Sequence, residues 1–253
     1  MIRDDRGVSD VVGYVLVFAL ITASIGTVFA AGLGGLDDRR QAEQVNNVER
    51  AFDVLHDNLR DIHRNDAPSR ATELRLAGGT LSFADAVSVR VGEYNETESG
   101  WVDPANTTNA TIRPVRYQSG ATSYVVEGGA LFRVDRGGET VVRPPTMVRG
   151  ANRTALVFLS TRAASQGAIG GQTTARIVAE RAYRSHVRTV NATEPDTHVR
   201  IEITSPRAAA WERYFERTDG FTVEAAADGS VAVSVETETV YVQRTPINVR
   251  FDR

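Results

Sequence analysis

The chain has 253 residues, with 29 basic and 32 acidic side chains and a net charge of -3. Every basic residue is Arg, and both Lys and Cys are missing. Without Lys there is no Walker A loop, no pyridoxal Schiff base and no Ser-x-x-Lys acylase. Without Cys there is no thiol nucleophile, disulfide, iron–sulfur cluster or Cys-based zinc site. The near-balanced charge predicts neither a strongly basic nucleic-acid binder nor an acidic tail.

Residues 1–7 are short and charged. No charged residue then occurs from Val11 to Leu36, and Val11 to Ala31 is mostly Val, Leu, Ile, Ala and Phe. As a helix, 21 residues rise about 31 Å, which matches the hydrocarbon core of a bilayer. The stretch is longer than a secretory apolar region of about 7–15 residues, and Ala23-Ser24-Ile25 and Thr27-Val28-Phe29 make poor small-x-small cleavage sites. A single membrane span is therefore expected over 8–36. Arg3 and Arg6 on one side and Arg39 and Arg40 on the other leave orientation undecided by charge.

The junction Arg6-Gly7-Val8-Ser9-Asp10-Val11-Val12-Gly13-Tyr14 resembles the start of haloarchaeal type IV pilin-like proteins. The resemblance covers about 25 residues and implies a class III signal, in which a prepilin peptidase cuts before the apolar segment and leaves it in the mature chain. Mapped here, cleavage falls between Gly7 and Val8. Ser9-Asp10 stands where the major pilins carry Ser-Pro, and the glutamate of bacterial pilins is missing, with Asp10 the nearest acid. The cut would expose a positive amine beside lipid, where an unpaired charge is costly. Asp10 of a neighbouring subunit would neutralise it and set the axial register. The alternative is that Asp10 marks the membrane boundary and caps the helix.

Gly32-Leu33-Gly34-Gly35 weakens helical order and predicts a break. A second, amphipathic helix is expected over 37–66. Val45, Val48, Phe52, Leu55, Leu59 and Ile62 recur at alternating spacings of 3 and 4, a heptad seam. Such a seam suits a coiled coil or the face of a sheet. Packing on the chain's own sheet is favoured, because coiled coils sustain the pattern longer. Asn65 to Pro68 ends the helix. His56 and His63 lie two turns apart, about 10.5 Å of rise, and His186 and His198 are remote in sequence, so no metal site is expected.

Residues 67–253 read as an antiparallel β-rich external domain, giving an α+β class. Glycine pairs at 78–79, 128–129 and 137–138 each sit between short apolar runs and predict hairpins. Further strands are expected at 87–91, 112–117, 155–159, 199–203, 221–224 and 231–242, while 176–190 suits strand or helix. Ser205 and Pro206 open a helix over 208–217, as N-cap and first helical residue.

Five Asn-x-Thr sequons occur, at Asn95, Asn106, Asn109, Asn152 and Asn191. Ten Asn and 38 Ser plus Thr would give about 1.5 by chance, so an excess is present. Three of the five fall between Gly92 and Thr111, which reads as an exposed loop. All five agree on an outside C-terminal domain and a cytoplasmic N-terminus. Val141 to Val190 holds eight Arg and one acid, Glu180. It lacks the interleaved aromatics of a nucleic-acid platform, and nucleic acid is not expected as a partner.

No His-Glu-x-x-His, Gly-x-Ser-x-Gly or other catalytic fingerprint is present, and neither an enzyme nor a small-molecule cofactor is expected. The resemblance implies a minor subunit of a type IV pilus-like assembly, serving adhesion or surface interaction. Its partners would be the membrane, prepilin peptidase and other pilin subunits. The alternatives are a non-polymerising single-pass surface glycoprotein and, less favoured, a surface-anchored hydrolase. Arg in place of Lys also fits a halophile's surface, since guanidinium is more weakly hydrated than ammonium.

Overall fold

The computed structural model describes residues 6–165, 167–227 and 229–253, with side chains at 6–10 and 30–42 outside the described set. The chain opens with one helix, α1 (Arg6–Arg64). The break expected at Gly32–Gly35 does not occur; the backbone is helical throughout. Apolar surroundings favour this outcome, because a helix meets every backbone hydrogen bond within itself. By compactness the chain divides at Asn47, giving one unit of Met1–Asn47 and another of Val48–Arg253.

Among the described residues, eighteen strands follow α1. They begin with β1 (Ser69–Arg75), β2 (Thr80–Phe83), β3 (Val87–Asn95), β4 (Gly100–Trp101), β5 (Thr108–Ile112) and β6 (Val115–Ser119). Next come β7 (Thr122–Glu127), β8 (Ala130–Asp135), β9 (Gly138–Arg143), β10 (Met147–Arg149), β11 (Arg153–Ala163) and β12 (Ile169–Gly170). The last are β13 (Thr174–Arg181), β14 (His186–Asn191), β15 (Thr197–Thr204), β16 (Phe221–Ala227), β17 (Ser230–Val235) and β18 (Thr239–Asp252). A short helix, α2 (Ala208–Phe215), separates β15 from β16.

The strands form three sheets. The first runs β1-β13-β18-β11-β10, with β14 also paired to β18. It is mixed, because β11 and β18 are parallel while its other pairs are antiparallel. The second runs β12-β2-β6-β7-β8-β9, and the third β16-β17-β15-β3-β4, with β5 also paired to β3. Both are antiparallel throughout.

Strand β18 is the spine of the first sheet. Its Thr239–Arg244 half pairs with β14 and its Ile247–Asp252 half with β13. Pro246 sits where the partner changes, a position where a missing N–H costs the ladder nothing.

The glycine pairs behave differently from one another. Gly128 and Gly129 form a two-residue hairpin between β7 and β8, with φ of 63° and 96°. Positive φ at both positions is the requirement of a type I′ turn. Gly137 likewise lies in the β8–β9 hairpin. Gly78-Gly79 does not make the hairpin predicted for it, because β1 pairs with β13 and β2 pairs with β6 and β12. Segments 69–83 and 169–181 instead cross from the first sheet to the second side by side. The crossing is carried by hydrogen bonds from Leu76 N to Thr173 O and from Gly78 N to Gly171 O.

Four more expectations are corrected or resolved. The run 112–117 is split at Pro114, which sends β5 and β6 to different sheets. The run 231–242 is split between β17 and β18, and the ambiguous 176–190 is two strands. Helix α2 starts at Ala208, with Arg207 at the N-cap position, while Ser205 Oγ accepts from Arg207 N in the turn before it.

An apolar cluster lies where the three sheets meet α2 and includes Phe132, Phe158, Ile201, Trp211, Phe215 and Val242. A buried ion pair crosses it. Glu127, at the end of β7, receives the Arg207 Nε at 2.5 Å and the Trp211 Nε1 at 2.8 Å. The Glu127 and Arg207 side chains are 2 % and 7 % exposed.

Candidate membrane anchor and external surface

Val11–Phe29 is long and apolar enough to cross a membrane, with a mean hydropathy of 2.2 and none of it buried. Valine, leucine, isoleucine and phenylalanine side chains here are half to three-quarters exposed. At about 25 cal/mol per Å² of apolar surface, such a stretch demands apolar surroundings. By length and composition the segment fits a single span or a signal sequence. Its polar side chains suit lipid: Thr22, Ser24 and Thr27 each donate a hydroxyl to the carbonyl four residues earlier, at 2.8 Å. The side chains of Gly7, Val8 and Asp10 lie outside the described residues, so the cleavage junction and the pairing role of Asp10 carry no geometry.

The predicted seam divides between the two units. Val45 belongs to the first and is half-buried. Val48, Phe52, Leu55, Leu59 and Ile62 belong to the second and are no more than 2 % exposed. Phe52 packs against the rings of Tyr117 and Tyr124, at 6.4 and 6.0 Å between centroids. His56 Nε2 is 2.9 Å from the Gly129 carbonyl, and Asn58 Nδ2 donates to Thr72 Oγ1. His63 Nδ1 bonds Thr245 Oγ1. Residues 48–62 are thus packed against the first and second sheets. Along their flank Tyr124 donates to Glu49, and Arg143 pairs with Asp53. Burial lowers the pKa of His56 and of His63, and burial next to Glu49 pushes that of Tyr124 far up.

The sequons lie at the surface. Asn106, Asn109, Asn152 and Asn191 are exposed and Asn95 is half-buried. The region from Gly92 to Thr111 is not the plain loop expected. It contains the end of β3, β4, a 3-10 turn capped by Asp103, and β5, which holds Asn109. Asn95 Oδ1 accepts from Glu98 N, and Asn109 Nδ2 donates to Thr107 Oγ1. Asn191, remote in sequence, lines one hollow of about 160 Å³ together with Asn106, Glu93 and Asp103. Glu93 closes that hollow. Burial alone would raise its pKa, but bonds from Thr193 N and Oγ1, Thr197 Oγ1 and Glu194 N bring it below the usual value. Asn152 sits apart, in the turn between β10 and β11.

Much of the Arg-rich stretch is engaged within the chain. Arg149 pairs with Glu236, Arg181 with Asp66 and the Ile62 carbonyl, Arg162 with the Tyr183 hydroxyl, and Arg188 with the Thr107 carbonyl. Sequence distance hid these partners. A cleft of about 430 Å³ lies between α2 and β9, lined by Glu139, Arg213, Tyr214 and Arg217 among others. Burial pushes the Glu139 carboxyl above its usual value. His198, remote in sequence from His56 and His63, lies beside Glu96 and Glu224, with ligand atoms of all three within 4.8 Å of one another.

These features define a class: an α+β protein with an apolar, span-length N-terminal helix and a β-rich domain bearing surface sequons. The chain belongs to DUF7289, a family of unknown function, whose model matches residues 6–250. An uncharacterised protein of Archaeoglobus fulgidus is 26 % identical to it over 78 residues, covering 31 % of this chain. The match spans about a quarter of that relative's own length, 26 %. No solved structure matches.

Proposed function

We propose that this chain is a pilin-like, membrane-anchored cell-surface protein, a minor subunit of a type IV pilus-like assembly serving adhesion or surface interaction. The observation that carries this reading is the division of labour along α1. Its stretch Val11–Phe29 is apolar and wholly unburied, whereas Val48 to Ile62 is built into the β domain. A pilin uses its N-terminal helix in those two ways. The Arg6-Gly7-Val8 junction supports cleavage by a prepilin peptidase, and the archaeal relative is in keeping with the archaeal form of the resemblance. A β unit running from Val48 to Arg253 is large for a repetitive shaft subunit, which favours a minor or tip position. The exposed sequons suit an outward-facing domain carrying glycans at Asn106, Asn109, Asn152 and Asn191, with the N-terminus cytoplasmic.

Intact mass of the membrane-extracted protein, combined with detection in a sheared filament fraction, tests the reading. The expected result is a chain beginning at Val8 and present among sheared filaments. A mature chain that keeps Met1 to Gly7 overturns the pilin reading. Cleaved protein confined to the membrane would instead support a surface glycoprotein that does not polymerise.

A further inference from the structure

We infer that Glu96, His198 and Glu224 form a binding site for a divalent transition-metal ion of the Zn²⁺ type on the outer face of the third sheet. This goes beyond the pilin-like reading and does not depend on it. The three residues come from distant parts of the chain: the turn after β3, strand β15 and strand β16. Their ligand atoms nevertheless converge within 4.8 Å.

Each residue is placed by a specific local feature. His198 pairs across the sheet with Tyr94, and the two rings lie 5.8 Å apart, tilted by 47°. Glu224 occupies the irregularity in the β16–β17 ladder, where the register shifts between Val223 and Ala225. A bulge re-aims a side chain. Here it lets Glu224 reach across β17 to His198, although β16 and β15 are not neighbours in the sheet. Glu96 is held by its own backbone, its N–H donating to the Asp196 carbonyl and its carbonyl accepting from Ser99 N.

The polar atoms at the centre are close to charged neighbours but make no aligned hydrogen bonds. His198 Nε2 and Glu224 Oε1 approach to 2.5 Å. Nevertheless Nε2 is enclosed without an aligned hydrogen bond, and so is Glu224 Oε2. Buried polar atoms are normally satisfied, and each exception calls for a cause such as an ion. A cation between the three groups would satisfy both atoms at once. In a tetrahedral Zn²⁺ site, ligands at about 2.0–2.2 Å stand roughly 3.3 Å from one another. Binding would therefore open the His198–Glu224 contact by roughly 0.8 Å and draw in Glu96, whose side chain is exposed. Three protein ligands leave a fourth position open to water.

The donor set selects the metal class. Imidazole suits Zn²⁺ and its neighbours, whereas Ca²⁺ and Mg²⁺ prefer oxygen alone. Arg200 opposes the ion. Its Nε lies 3.5 Å from Glu224 Oε2, and its guanidinium stacks on Tyr94 at 4.0 Å. The site is thus a competition between a fixed internal cation and a metal, which gives the test its distinctive sign.

The test is calorimetric titration of the chelator-treated, tag-free full-length chain in detergent with Zn²⁺, Mn²⁺ or Ca²⁺ at pH 7.5. One Zn²⁺ per chain is expected, with Mn²⁺ weaker and no Ca²⁺ bound. His198→Ala and Glu224→Gln should each weaken Zn²⁺ by more than the about 10–100-fold typical of losing a merely supporting group. Glu202→Gln, on the same strand, should leave binding unchanged. Arg200→Met should tighten it, a result that a purely structural ion-pair cluster would not give. Circular dichroism of each variant separates lost binding from lost folding. No Zn²⁺ binding, equal affinity for Ca²⁺, or binding indifferent to both His198→Ala and Glu224→Gln would overturn the inference.

Discussion

The indole of Trp211 donates to Glu127 Oε1 at 2.8 Å, so the end of strand β7 is tied to helix α2 through a carboxylate that also receives Arg207. Removing Glu127 leaves the Arg207 charge buried and unpaired. Breaking a buried pair from one side typically costs about 3–5 kcal/mol. Glu127→Ala is therefore expected to destabilise the chain by about that much, read as a lower urea midpoint with Trp fluorescence. Replacing both partners, as Glu127→Gln with Arg207→Met, should recover most of the loss, because no charge is left unpaired and the Gln carbonyl still accepts from Trp211.

Phe52 measures how residues 48–62 of α1 are held. Its ring is fully buried between Tyr117 and Tyr124. Phe52→Ala should cost about 3–5 kcal/mol, the range for deleting a buried aromatic. Val54, two residues on, is 51 % exposed, and Val54→Ala should change stability by less than about 0.5 kcal/mol. Equal effects from the two substitutions would mean that residues 48–62 are not held by the sheets. Denaturant melts of the detergent-solubilised chain compare them directly.

The contrast between Phe52 and Val54 was readable from the sequence, because a helix repeats its faces every 3.6 residues and burial follows that repeat. The Gly128-Gly129 hairpin was readable for a similar reason: turn chemistry and strand pairing are both local there. Gly78-Gly79 has the same composition, but its flanking strands do not pair with each other: β2 pairs with Val115–Ser119 and Ile169–Gly170, and β1 with Thr174–Arg181, all far downstream. No local rule reaches that far. Pro114 was a visible divider within 112–117, yet nothing nearby stated that the two sides enter different sheets. The surface position of the sequons followed from composition, whereas the meeting of Asn106 with Asn191 depends on long-range strand pairing. The Glu96, His198 and Glu224 cluster was hidden for two reasons. It joins three separated segments, and it depends on a bulge that composition does not mark.

His56 predicts a pH dependence of defined sign. Its Nε2 faces the Gly129 carbonyl, so the neutral ring donates there. Burial is the main cause of its lowered pKa; the Gly129 carbonyl and Asp57 oppose the shift, and Arg60 adds to it. His63 is lowered in the same direction by burial, with Arg64, Arg181 and Arg60 adding to the effect and Asp66 opposing it. A histidine whose folded pKa lies below its unfolded value near 6.5 binds more protons when unfolded. Stability is therefore complete above that value and is lost as pH falls from 6.5 towards the folded pKa. Glu139, raised by burial, acts with the opposite sign, losing stability as pH rises above 4.5, and partly offsets the trend below the histidine window. Urea midpoints should fall between pH 7.5 and 5.5. His56→Gln, which keeps an N–H donor for Gly129, should flatten that slope, and His56→Gln with His63→Gln should flatten it further. An unchanged slope in the double variant would remove the histidines as its source.

Asp10 separates the two roles considered for it. If the Val8 amine of a cleaved subunit needs a carboxylate from its neighbour, the charge is required for assembly and not for processing or insertion. An amine left unpaired beside lipid is costly, so subunits lacking the acid would be disfavoured in the filament. Asp10 lies inside α1, which begins at Arg6, so it is not the helix N-cap expected as the alternative, and Asp10→Asn removes its charge without altering a cap. The expected outcome is a chain still cleaved before Val8 and still membrane-associated, but depleted from the sheared filament fraction. Asp10→Glu should restore assembly in part, because the charge returns on a longer arm. Normal filament levels with Asp10→Asn would assign the residue to the membrane-boundary role instead. Intact mass of the membrane fraction and immunodetection in the sheared fraction, measured on the same cells, distinguish the two outcomes.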